Sequence, residues 1–257
     1  MWPTWANIIA FDQKMELKNF AVAGMGNTGI MQRVLEADLK YNFTPDDKIM
    51  IMWASWSRND KIINSHYETG GSIFNHHLSL KWIKDNWSME NDIIKNVSAI
   101  HYVNKLYKSN IIWQGHSAIP YTSEIDTHKE SLLTSISNKA DIDLITALYD
   151  RALPKIQYRA LETGDKHAFG YLRDSHPDVL GHLDIVKEWI YPDIGYELQD
   201  ETQQCYEELH SCIKTTLETK HIRELNSAIH VVNGILMRDF PHLMEYQDIQ
   251  TLRENID

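Results

Sequence analysis

Cysteine is nearly absent from this sequence: only Cys205 and Cys212 occur among 257 residues. In one helical stretch, two turns apart, they would stand about 10 Å from each other. That is beyond disulfide reach, so they read as free thiols, which fits a reducing compartment. No CxxC or comparable zinc spacing occurs either. Basic residues are outnumbered, with 25 Lys and Arg against 36 Asp and Glu and a formal net charge of −11. So acidic a chain lacks the basic face that phosphate neutralisation needs, which argues against general nucleic-acid binding. No apolar run is long enough for a membrane span. The beginning shows no basic and apolar secretory leader, so the expected location is cytoplasmic.

What the sequence does have is enough apolar surface for a core, with 43% hydrophobic residues and eight tryptophans. In WPTWANIIAF, Trp5, Ile8 and Ile9 share one helical face. Leu17 to Ala23 is an apolar run closed by Gly24 and reads as a buried strand. Gly24-Met25-Gly26-Asn27-Thr28-Gly29 then opens a helix with Ile30, Val34, Leu35, Ala37 and Leu39 in rhythm. Thr44 to Asp47 is a turn, and Lys48 to Trp53 is a second buried strand running into the polar stretch 54–60. Residues 61–88 form an insertion rich in aromatics and histidine, after which Ser88 caps a helix reaching Tyr107. Ile111 to Trp113 is a third strand; Ala140 to Leu153 reads as a helix and Ile156 to Leu161 as a further strand. Strands that end in Gly-, Ser- and Asn-rich turns imply a parallel sheet with a site at that edge.

The stretch Asp174-Ser175-His176-Pro177 is a compact holder for an imidazole. Pro177 suits the first turn of a helix, where its missing N–H leaves no bond unmade. Val179, Leu183, Val186 and Ile190 then define one apolar face. Beyond Gly195 the composition shifts to two amphipathic helices. The first carries Leu198, Cys205, Leu209, Cys212, Ile213 and Leu217. The second carries Ile222, Leu225, Ile229, Val232 and Leu236, with Asn233-Gly234 as an interruption and Phe240-Pro241 as a stop. They read as a helical extension, residues 196–257, attached to the α/β part or used for self-association.

Taken together, residues 2–191 resemble the SGNH (GDSL-type) hydrolase family. Asn19-Phe20-Ala21-Val22-Ala23-Gly24 followed by Met25-Gly26-Asn27 is similar to the family block that ends in an oxyanion glycine. Asp174-Ser175-His176-Pro177 resembles its last block. The resemblance implies a flavodoxin-like three-layer α/β sandwich on a parallel sheet, spanning 1–195, with the helical extension 196–257 outside it. It also implies ester hydrolysis, on a small-molecule or carbohydrate ester. His176 would be the acid–base group and Asp174 its orienting partner. Gly24, Asn27, Ser55, Ser57 and Asn59 are the oxyanion-hole candidates, a donor there being worth about 3 kcal/mol. Arg58, His76 and His77 are candidates for a substrate wall.

Two departures stand out. The usual Gly-x-Asn-Asp is replaced by Trp53-Ala54-Ser55-Trp56-Ser57-Arg58-Asn59-Asp60. The nucleophile block, Gly-Asp-Ser on the family's first strand, does not occur, so the chain reads as N-terminally truncated and inactive as written. The alternatives are a non-catalytic relative that serves as a binding or structural module, and a metal site built from Asp174, His176 and His182 with His76 or His77. The family scheme needs no metal or cofactor. A chain without its central first strand is also expected to be poorly stable unless another segment fills that slot.

Overall fold

The computed structural model describes residues 3–22, 24–54, 58–63, 66–72, 81, 85, 89–116 and 177–247. In chain order the elements are α1 (Trp5–Gln13), α2 (Asn27–Tyr41), β1 (Ile49–Trp53), β2 (Arg58–Ile63) and β3 (His66–Ser72). These are followed by α3 (Met89–Leu106), β4 (Ile111–His116), α4 (Val179–Asp184), a π-helical stretch (Ile185–Ile190) and α5 (Tyr191–Ile194). Then come α6 (Asp200–Thr219), α7 (Leu225–Asp239) and a 3₁₀ turn (Pro241–Met244). The protein is mixed α/β and mostly helical. It divides into two compact units, Phe20–Leu161 and Met1–Asn19 with Glu162–Asp257. Thus α1 belongs with the C-terminal helices, and those helices share a unit with the segment that follows Pro177.

In the first unit, β1 and β4 pair in parallel, from Ile49 opposite Ile111 to Trp53 opposite His116, with one slip in register after Ile49. A parallel pair needs a long crossover, and α3 lies in that connection. Side chains alternate along a strand, so Ile49, Ile51 and Trp53 are buried together against Val97, Ile100, Val103 and Tyr107. Ile30, Met31, Val34 and Leu35 of α2 pack on the same cluster. Its polar groups are matched: Trp53 Nε1 donates to Gln114 Oε1 at 2.9 Å, and Gln114 Nε2 donates to Asn104 Oδ1 at 2.7 Å. Gly115 leaves room for the Trp113 indole, which lies 2.2 Å from where a Cβ would stand. Strands β2 and β3 form an antiparallel hairpin that begins in the polar stretch 54–60 and runs into the insertion expected at 61–88, with Ile63 opposite His66.

In the second unit, Asn7 Oδ1 accepts from both the N–H and the hydroxyl of Thr4, closing the start of α1. The face expected after Pro177 is present: Val179, Leu183, Val186 and Ile190 are all buried. Its helix widens to π form just before Pro192, whose ring and missing N–H a regular α-turn does not accommodate. Thr202, Tyr206, Leu209, Ile213 and Leu217 make the buried stripe of α6. Buried Asp12 joins three elements, accepting from Tyr191 Oη at 2.6 Å, Gln13 Nε2 at 2.8 Å and Gln199 N at 3.1 Å.

Four local expectations are corrected. Leu17 to Ala23 is not a strand: Leu17 makes one isolated bridge to Gln247, Ala21 is exposed, and Ala23 lies outside the described residues. Apolar composition alone does not make a strand, because strand preference depends on the neighbours that a segment packs against. Asn233-Gly234 does not interrupt α7, because burial of Val232, Ile235 and Leu236 outweighs the poor helix propensity of glycine. Leu39 is 89% exposed rather than on the packed face of α2. Cys205 and Cys212 are free thiols as expected, but they flank the buried α6 stripe instead of lying on it, each only half-buried. The helix at 140–153 and the strand at 156–161 lie outside the described residues. No helix among the described residues is long and apolar enough to cross a membrane.

Candidate functional site

The described part of the site is the turn at Gly24–Gly29, which feeds α2. Gly24 has a φ of 79°, a left-handed conformation that glycine adopts without Cβ strain. Met25 N–H closes the preceding turn on Val22 O at 3.3 Å. Gly26 then forms the N-cap of α2, and having no side chain it cannot cap the helix itself. Asp60, 34 residues later on β2, supplies the cap. Its Oδ1 accepts from Gly26 N at 2.7 Å and its Oδ2 from Gly29 N at 3.0 Å. A carboxylate here satisfies two otherwise orphaned donors and meets the positive end of the helix dipole.

Asn27 is buried and fully engaged. Its Nδ2 donates to Ala54 O at 3.0 Å and to Asn96 Oδ1 at 2.6 Å, while its Oδ1 accepts from Ala54 N at 2.7 Å. An amide has two N–H groups, and both are used. The Asn27 side chain therefore binds α2, α3 and the end of β1 together instead of offering a donor to a substrate oxyanion. Asn96 is held in turn, its Nδ2 donating to Asp92 O at 2.5 Å.

Of the other residues singled out in sequence, Gly24 sits in the turn just described. Arg58 is half-buried at the start of β2, and its carbonyl lies 3.1 Å from where a Gly26 Cβ would stand. Asn59 is on β2 between Arg58 and Asp60, with its side chain outside the described residues. Ser55, Ser57, His76, His77, Asp174 and His176 lie outside them as well.

Just after His176, Asp178 caps α4, accepting from Gly181 N at 2.9 Å. Its second oxygen meets His210 Nε2 of α6 at 3.1 Å. Of the residues considered as metal ligands only His182 is described, half-buried on α4. Among the described residues no group of three His, Cys, Asp or Glu is placed to hold a metal ion.

Sequence reading missed Asp60, Asn96 and the Asp178–His210 contact. The Asn59-Asp60 pair is visible in the sequence, but nothing local tells that its carboxylate accepts from a turn 34 residues upstream. Nothing in sequence spacing announces a contact between Asp178 and a residue 32 positions on.

The arrangement can do two things chemically. It sets a left-handed glycine turn beside a helix N-terminus, and it holds the exit of a parallel strand against that helix start. Comparison with protein-family models, curated proteins and solved structures finds no match for this chain.

Proposed function

We propose that this chain is the scaffold of an SGNH/GDSL-type serine ester hydrolase acting on a small-molecule or carbohydrate ester. The observation that carries the reading is the left-handed Gly24 turn. It opens α2 and is tied through Asn27 to the end of parallel strand β1. This is where an oxyanion glycine is useful, because the N–H belongs to a braced turn and need not reorganise as charge develops. The Asp174-Ser175-His176-Pro177 motif supports the same reading from sequence, and the parallel β1–β4 pair is compatible with a flavodoxin-like sheet having further strands on either side.

In such a hydrolase a serine attacks the ester carbonyl and His176 takes its proton, later delivering it to the leaving alcohol. Asp174 orients the imidazole and balances its charge, and the Gly24 N–H donates to the tetrahedral oxyanion. The 257 residues contain no Gly-Asp-Ser. That observation favours a second reading, in which the same scaffold binds esters or partners without hydrolysing them.

The test is p-nitrophenyl acetate hydrolysis by the full-length product of the source gene. The hydrolase reading expects turnover in a product that includes a Gly-Asp-Ser, lost in His176→Ala and Asp174→Ala. Turnover that survives His176→Ala, or no turnover despite a Gly-Asp-Ser, refutes it. A gene product without that triplet and without turnover supports the binding module.

A further inference from the structure

We propose that Asp60 is the positioning residue of the oxyanion turn: by gripping Gly26 and Gly29 together it sets where the Gly24 N–H points. The proposal rests on the hydrolase reading for its consequence and on geometry for its substance.

Three observations converge on it. First, the grip uses both carboxylate oxygens on two N–H groups of one turn, at 2.7 and 3.0 Å, so it fixes orientation as well as distance. Second, Gly26 is shaped for it. A Cβ there would stand 2.6 Å from Asp60 Oδ2 and 3.1 Å from Arg58 O, so a side chain would displace the Asp60 carboxylate from its grip and crowd the β2 backbone. Third, Gly24 cannot hold itself. With φ at 79° and no Cβ, its peptide orientation depends on what anchors either side. Upstream the anchor is the Met25–Val22 turn bond; downstream it is Asp60, two residues on, followed by the Asn27 clamp. Asn27 secures α2 to β1 and α3, whereas Asp60 secures the N–H groups of Gly26 and Gly29 on the downstream side of Gly24.

The test uses the ¹⁵N-labelled chain and its Asp60→Ala and Asp60→Asn variants. A hydrogen bond to a charged group protects an amide about tenfold or more. Asp60→Ala is therefore expected to speed exchange at Gly26 and Gly29 by at least that factor and to move the Gly24 amide resonance. Added formate, filling the vacated carboxylate position, should return both toward wild type. Asp60→Asn keeps one acceptor oxygen and should deprotect one of the two glycines, which gives a reading even if the alanine variant does not fold. Unchanged exchange at Gly26 and Gly29 overturns the grip. Deprotection of both with an unmoved Gly24 resonance reduces Asp60 to a helix cap and overturns positioning. In a full-length product that hydrolyses p-nitrophenyl acetate, Asp60→Asn should lower kcat with little change in KM; equal loss in both overturns positioning too. No hydrolysis by a wild-type product containing Gly-Asp-Ser sinks the hydrolase reading alone and leaves the amide result standing.

Discussion

Replacing Asn27 with alanine should destabilise the first unit by about 3–5 kcal/mol. The side chain makes three hydrogen bonds, each contributing about 1 kcal/mol net, which sets the lower figure. The alanine also strands Ala54 N–H, Ala54 O and Asn96 Oδ1 in a buried setting. Each unmatched buried group costs about 1–3 kcal/mol, although neighbours relax and the costs do not simply add. The total is a large share of the roughly 5–15 kcal/mol that holds a typical domain folded.

Because the chain forms two units, bulk fluorescence would mix two transitions. Urea unfolding followed by ¹⁹F NMR of 5-fluorotryptophan at Trp53 and Trp113, both in the affected unit, isolates the relevant one. The expected result is a lower urea midpoint at unchanged slope. Asn27→Asp should fail differently. Its carboxylate would face Ala54 O and Asn96 Oδ1, so burial and acceptor repulsion raise its folded pKa above the unfolded value of about 3.9. The folded state then holds the proton longer, so that variant is best folded below about pH 4 and loses stability as pH rises through its folded pKa. A loss under about 1 kcal/mol in Asn27→Ala, or a flat pH profile in Asn27→Asp, would refute the clamp and return Asn27 to the list of oxyanion donors.

Gly234→Ala should stabilise the protein. The site is exposed in mid-α7, and a Cβ would meet nothing within 4 Å. The gain is about 0.5–1 kcal/mol from helix propensity, read as a Tm rise of about 1–4 °C; a fall in Tm would show strain that the backbone does not reveal. Alkaline pH should unfold the chain. Burial first, then the bond to Asp38, pushes the Tyr107 hydroxyl up to about 12. Burial and Asp12 push Tyr191 higher still, and burial does so for Tyr206. A raised folded pKa means this contribution is whole below the unfolded tyrosine value of about 10 and is lost as pH climbs through the folded values. Near-ultraviolet dichroism should therefore collapse together with the late rise in tyrosinate absorbance. Ionisation of all 12 tyrosines near pH 10 with dichroism intact would contradict it.

Helices α1, α2, α3 and α6, the helix after Pro177, and strands β1 and β4 were legible because each carries its signal locally. Apolar residues recur at the period of the element, and a turn or cap marks its edge. Where the pattern misled, the deciding partner lay far away. The run Leu17 to Ala23 has strand composition, yet Leu17 bridges only to Gln247, far along the chain, and the described residues after it form no strand. Asn233-Gly234 looks like a helix break, yet packing on both sides of it carries α7 through.

By itself, the sequence determined the motif residues, the acidic balance, the apolar faces and the mixed α/β class, since all of these are properties of neighbours along the chain. Only the tertiary structure decided that α1 belongs with the C-terminal helices, that Asn27 spends its amide inward, and that Asp60 caps the glycine turn from β2. Each of these is a contact across tens of residues. Its energy comes from burial and hydrogen bonding between segments that nothing in local spacing brings together.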